Sequence, residues 1–458
     1  MEYTRSEIQN GVWLTHIRSD KFKTACLSIT LLTQLRRETA AMNALLPLVL
    51  RRGTARYGDM EAISRRLDEL YGAAIEPVVR RIGEIQCLGF FASVPEEDFL
   101  PAGADTLRGA CELMGQMLLA PNTRGGLLLP DYVDSERGKL IEMIRARLND
   151  KLGYAISRCI EEMCCCEDYA VSRLGDEESA AAIRYQKLTK QYRSLVQTSP
   201  IEIFYCGRAE QKRVESLLRD ALSTLPRGEI NYDIGTDVRL NALEAAPRTY
   251  VEQMNVTQAK LVIGWRLGAA MDDPDPAALR LFASLLGGST ASKLFVNVRE
   301  KLSLCYFASA VTDRQKGILL AYAGTEFDNV EQAKEEIFAQ LAAIANGEIT
   351  DEELRAARAD VKSALKSALD SQGALEGFYL SAALDGAEYT PEELSELTDD
   401  VTKEDLVAIA RGCECDMIYT LTGDGSEEDG DDEEVAEPSE EELRIFEEEE
   451  NGDPDEEI

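Results

Sequence analysis

At 458 residues the chain is long enough for two to four domains, each able to bury a sizeable core. Its 84 acidic and 49 basic residues leave a net charge of −35, the wrong sign for a nucleic-acid binder. Neither a membrane-spanning apolar run nor a basic start followed by an apolar stretch occurs, so no membrane association and no signal peptide are expected.

The charge is unevenly spread. Residues 426–458 hold 19 acidic residues and one Arg, a composition break that predicts a disordered acidic tail. Eleven cysteines, three of them adjacent (Cys164, Cys165 and Cys166), read as reduced thiols and a cytoplasmic setting.

In chain order, Gly11–Ile17 and Ala25–Thr33 are strand-like. A mostly apolar helix over Thr39–Leu50 follows, then a helix capped by Asp59 with Met60, Ile63, Leu67 and Leu70 on one face. Ala73–Arg80 and Ile85–Val94 predict a strand pair turning near Gly83. A long helix follows, with Leu140, Ile144 and Leu148 sharing a face.

The second half repeats the order. Thr249–Val256 and Ala259–Leu267 are strand-like, and a helix is expected to start at Pro274 or Pro276. A constant offset relates Gly53 to Gly287, Arg65 to Arg299 and Gly83 to Gly317. A second long helix carries Leu354, Val361, Leu365 and Leu369 on one face, behind a capping box of Thr350 and Glu353. The fold class that follows is α+β: two homologous α/β domains, each a mixed sheet packed with helices, related by internal duplication. The expected divisions are 1–228, a linker at 229–247, a second domain at 248–425, and the tail.

The single histidine limits the chemistry. Hydrolytic zinc sites use two or three histidines with a carboxylate, and His16 in a strand reads as structural. Nucleophile-elbow, phosphate-loop and dinucleotide motifs are missing from the sequence. Cys413-x-Cys415 lacks a second pair and reads as structural too.

One segment is specific: Leu286-Gly-Gly-Ser-Thr-Ala-Ser-Lys-Leu-Phe-Val-Asn-Val-Arg-Glu-Lys-Leu-Ser-Leu-Cys-Tyr306. It resembles the second-domain signature of the pitrilysin/insulinase metallopeptidases, with Arg299 and Tyr306 at the signature's Arg and Tyr positions. The resemblance extends over about residues 5–425 and is specific in the second half; the chain also resembles the family's YmfF-like group. It implies two pitrilysin-like domains. The family's first domain carries His-x-x-Glu-His, two zinc ligands and a general base; counting back from Gly53, those positions fall on Ala44, Pro47 and Leu48. The family's third ligand would fall near Glu142. Ala, Pro and Leu can neither ligate a metal nor move a proton, so the chain is not a self-sufficient metallopeptidase and no cofactor is expected in it. The resemblance implies a non-metal subunit of a heterodimeric zinc endopeptidase, its zinc held by a homologous His-x-x-Glu-His-bearing partner. Arg299 and Tyr306 would then bind the peptide substrate; the alternative is an inactive scaffold or peptide-binding protein of the same fold.

Overall fold

The computed structural model describes residues 2–423, so the acidic tail expected from 426 onward lies outside the described residues. The first half forms strands β1 (Glu2–Gln9), β2 (Val12–Arg18), β3 (Thr24–Gln34), β4 (Ala74–Ile82) and β5 (Ile85–Pro95). A short ribbon, β6 (Thr123–Arg124) and β7 (Leu127–Leu128), precedes β8 (Ile201–Gly207). Its helices are α1 (Ala40–Leu50), α2 (Met60–Glu69), α3 (Thr106–Leu119), α4 (Pro130–Ala146), α5 (Lys151–Met163), α6 (Glu177–Ala181), α7 (Tyr185–Thr198) and α8 (Gln211–Ala221). The second half adds strands β9 (Arg248–Met254), β10 (Ala259–Arg266), β11 (Phe307–Asp313), β12 (Ile318–Thr325) and β13 (Glu414–Gly423). With them come α9 (Pro276–Ala283), α10 (Val330–Ala345), α11 (Asp351–Ala368), α12 (Gln372–Asp385), α13 (Pro391–Leu397) and α14 (Lys403–Gly412).

The duplication is visible in the topology. One sheet runs β1-β2-β8-β3-β5-β4 and the other, read from the same end, β9-β13-β10-β12-β11. In each, the outermost shared pair is parallel (β2 with β8, β9 with β13) and the remaining pairs are antiparallel. The matched glycines fall where the repeat requires them. Gly83 and Gly317 both turn a hairpin with positive φ, 55° and 70°, where a side chain would be strained. Strand β1 was not expected, because its Glu-Tyr-Thr-Arg-Ser-Glu run lacks an apolar alternation; it pairs with β2 and has no counterpart beside β9.

Local signals mostly hold. Asp59 accepts from the Ala62 N–H, and Thr350 with Glu353 forms the capping box of α11. Asp275 caps α9, which starts at Pro276. Leu148 is the exception: α4 stops at Ala146, and Leu148 is 44% exposed rather than sharing a face with Leu140. The chain breaks there because Asp150 caps a new helix, accepting from the Gly153 N–H at 2.9 Å.

That new helix crosses over. α5 lays Ile156, Ile160 and Met163 on β10 and β13 of the second sheet, in one apolar cluster with Val262, Leu320 and Tyr419. Reciprocally, α12 packs on β3 and β8 of the first sheet. There Gln372 donates to the Thr24 and Cys206 carbonyls at 3.0 and 2.8 Å, and Ser28 donates to Glu376 at 2.8 Å. Each half therefore lends one helix to the other's sheet.

The seam between the sheets is charged and closed. Arg80 makes two hydrogen bonds to Glu376, at 2.5 and 2.7 Å, with both side chains buried. On the pseudo-symmetric side, the two hairpin turns meet where Lys316 pairs with Glu84 at 2.5 Å and Glu167 at 2.6 Å. Arg266 joins Glu167 and Asp416 at 2.6 and 2.9 Å. Positive and negative groups alternate there, which is the condition for burying charge at tolerable cost.

Candidate functional site

Helix α1 is where the zinc motif of the resembled family would sit. Its sequence, Ala-Ala-Met-Asn-Ala-Leu-Leu-Pro-Leu-Val-Leu, is apolar nearly all round, and the helix is correspondingly buried. Ala44 is 1% exposed and belongs to the core of the first sheet. Pro47 lies buried inside the helix, and Leu48 is half-buried against the same core. The polar residue in α1, Asn43, is satisfied by amides: it donates to Gln86 and accepts from Gln191, both at 2.8 Å. Gln86 in turn donates to the Ala40 and Arg173 carbonyls. These residues do not fit a zinc ion. Among the described residues no group of three or more His, Cys, Asp or Glu is placed to hold a metal.

The facing helix α4 carries two carboxylates of interest. Glu142 is exposed. Glu136, six residues earlier, is buried, and it accepts from Arg52 at 3.1 Å and Lys139 at 3.0 Å. Arg52 lies two residues past the end of α1, so an ion pair ties that end to α4. Sequence reasoning had no means of choosing Glu136, because three neighbouring carboxylates share that stretch and only packing distinguishes them.

The Gly-Gly to Tyr segment has a different character. Two wide turns with π-type spacing, Ser284–Gly288 and Phe295–Lys301, flank the Ser-Lys-Leu run. Such turns are expensive as regular helix and occur frequently at functional sites. Ser303 follows with φ of 50°, an uncommon value for a residue other than glycine. The segment is anchored at several points. Gly287 is pressed against β11 so closely that a Cβ would lie 2.3 Å from the Ala310 nitrogen. Buried Lys293 pairs with Glu353 at 2.8 Å. Burial tends to raise the Glu353 carboxyl, but the hydrogen bonds from Lys293 and Thr350 outweigh it and hold it low.

On this scaffold Arg299 lies over the Phe295 ring, 4.7 Å from its centroid, with the Glu300 carboxylate 3.9 Å away. Tyr306 is 38% exposed; its N–H is bonded to the Gly324 carbonyl at 2.8 Å and its hydroxyl donates to Glu326. That hydrogen bond is the main cause of a raised Tyr306 pKa, so the phenol stays protonated. Glu326 is a site neighbour that the sequence reading missed, since it lies twenty residues on, beyond the end of β12. Arg299 and Tyr306 thus belong to the second sheet's side of the molecule, and Ala44, Pro47 and Leu48 to the first.

The remaining candidates are structural. His16 is buried, with Nε2 2.9 Å from the Ala209 carbonyl and its ring stacked on Tyr205. Burial pushes the thiols of Cys413 and Cys415 up to about 12, and Cys413 donates to the Ile409 carbonyl. No helix among the described residues is long and apolar enough to cross a membrane.

Comparison with known proteins gives the family and the fold. Residues 182–361 match the family model described as the peptidase M16 inactive domain. The probable inactive metalloprotease YmfF of Bacillus subtilis (strain 168) is 30% identical over 417 residues, covering 91% of this chain and 97% of that protein. The crystal structure of a conserved protein from Enterococcus faecalis V583 superposes with a TM-score of 0.82 at 25% identity, over 93% of this chain and 100% of that one. The periplasmic protease PqqL from Escherichia coli shares the fold with a TM-score of 0.67 at 15% identity, over 92% of this chain but 47% of its own. The two-domain fold thus defines an M16-type peptidase relative, with Ala44, Pro47 and Leu48 at the resembled motif's positions on α1. The chain belongs to the M16 peptidase family.

Proposed function

We propose that this chain is the non-metal subunit of a two-chain zinc endopeptidase. In this reading it forms one side of a closed chamber and offers Arg299 and Tyr306 to the substrate peptide. The observation that carries the reading is a contrast between the two halves. Helix α1 is filled with apolar packing. The Arg299–Tyr306 segment keeps wide turns, a positive-φ serine and an exposed phenol, none of which core packing calls for. A guanidinium and a phenol are both hydrogen-bond donors, suited to gripping a peptide carbonyl once the phenol turns from Glu326 to the substrate. The metal and the general base belong to a His-x-x-Glu-His-bearing homologue. The fold's occurrence as about half of the longer PqqL chain supports a pairing of two such units. Eleven thiols, all among the described residues, suit a reducing compartment such as the cytoplasm.

The test is reconstitution. Purified chain is mixed with a co-expressed His-x-x-Glu-His homologue, and peptide cleavage is measured for each alone and for the pair. Activity confined to the pair supports the subunit reading. A stable complex whose partner is equally active alone supports a scaffold instead.

A further inference from the structure

The three adjacent cysteines are not used by the proposed function, and the fold sorts them. Cys164 ends α5, its N–H bonded to the Ile160 carbonyl at 2.8 Å, and its side chain is buried beside Arg266. The Glu167 N–H returns to the Cys164 carbonyl at 2.8 Å. Residues 164–167 are therefore a tight turn, with Cys165 and Cys166 as its two corner residues. Both are exposed, and their sulfurs face each other at 3.8 Å. The other nine cysteines are buried or half-buried.

We propose that Cys165 and Cys166 form a reversible vicinal dithiol–disulfide site. Arg248, fixed by the Glu162 and Met163 carbonyls at 2.9 and 2.8 Å, places Nη1 3.8 Å from the Cys165 sulfur. That contact puts a cationic donor against the Cys165 sulfur, the atom that acts as nucleophile in thiol–disulfide exchange. The Cys166 thiol is raised, chiefly by its hydrogen bond to Cys165, and it has no such cationic contact at its sulfur among the hydrogen bonds of the described residues. Cys165 is accordingly the attacking thiol and Cys166 the resolving one.

With a small disulfide such as oxidised glutathione as oxidant, the Cys165 thiolate attacks one sulfur. The oxidant's S–S bond breaks, and one glutathione leaves as a thiol after taking a proton. Cys166 then gives up its proton and attacks the Cys165 sulfur, expelling the second glutathione. The chain loses two electrons and two protons, and the oxidant becomes two thiols. Consecutive Cα atoms are about 3.8 Å apart, below the roughly 4.4–6.8 Å of ordinary disulfides, so the product is strained and readily reduced. Strained, exposed disulfides are the labile and regulatory ones. The turn ends in Glu167, the carboxylate shared by Arg266 and Lys316, so the site sits against the seam between the two sheets.

The test uses the full chain, oxidised glutathione and peptide mapping by mass spectrometry. The expected product is a disulfide within the Cys165–Cys166 peptide, two hydrogens lighter and restored by dithiothreitol. Cys166→Ser is expected to stop with one glutathione held on Cys165, and Cys165→Ser to react at least tenfold more slowly. On the unaltered chain, one equivalent of phenylarsenoxide, which bridges paired thiols, is expected to bind and block the oxidation. Disulfides between chains, preferential reaction at Cys305, Cys413 or Cys415, arsenical uptake that leaves oxidation unchanged, or a Cys165→Ser variant that reacts like the parent would each overturn the proposal.

Discussion

Glu376 shows how much a single residue can carry in this fold. It comes from the second half of the chain, yet it is buried against the first sheet, accepting two hydrogen bonds from Arg80 and one from Ser28. Glu376→Ala leaves the Arg80 guanidinium buried without its counter-charge, a loss of about 3–5 kcal/mol. Urea denaturation checks this, and a change below about 1 kcal/mol would show that the pair is solvated rather than sealed. The degenerate motif gives a second prediction at the same scale. With Ala44, Pro47 and Leu48 packed in or against the core, the isolated chain retains no stoichiometric zinc after dialysis. Metal analysis is the check, and one tightly held zinc per chain would contradict it.

At the scale of elements, capping was the most legible feature. Thr350 and Glu353 announce the start of α11, and each donates or accepts as the pattern requires. Thr350→Ala is expected to lower stability by about 1 kcal/mol, measured by thermal or urea denaturation. Apolar runs marked β2 to β5, β9 and β10, and matched glycines marked the repeat, whereas the insertion of β8 and β13 beside β3 and β10 was not legible. The exchange of α5 and α12 between the sheets was not legible, because an amphipathic face says that a helix is buried and not against what. Leu148 failed for a related reason: periodicity continued through Asp150, whose capping bond starts another helix. The candidate site was half legible. Arg299 and Tyr306 stand in a recognisable segment, whereas Glu326 and Glu136 acquire meaning only once distant elements are brought together.

For the whole molecule, the seam sets the response to acid. Burial works to raise the Glu167 and Asp416 carboxyls, but hydrogen bonds from Arg266 and Lys316 to the first, and from Arg248 and Arg266 to the second, outweigh it. Both are held below their ordinary 4.5 and 3.8. A depressed native pKa stabilises the fold above the unfolded-state value, and that contribution is lost as pH falls through the native one. The thermal midpoint is therefore expected to hold near neutrality and to fall below about pH 4. The Glu167→Gln, Asp416→Asn double variant starts lower and declines less steeply. A parent midpoint unchanged down to pH 3 would mean that the seam does not couple the halves.

The central claim concerns Arg299 and Tyr306, and turnover by the reconstituted pair tests it most directly. Arg299→Ala and Tyr306→Phe are each mixed with the metal-bearing partner, the complex is confirmed by size, and peptide cleavage is measured. Removing one well-placed donor to a developing oxyanion costs about 10²–10³ in rate. The account predicts a loss of that order in each variant with folding and assembly intact. Full activity in both, or activity lost only together with assembly, would contradict it and leave this chain a scaffold.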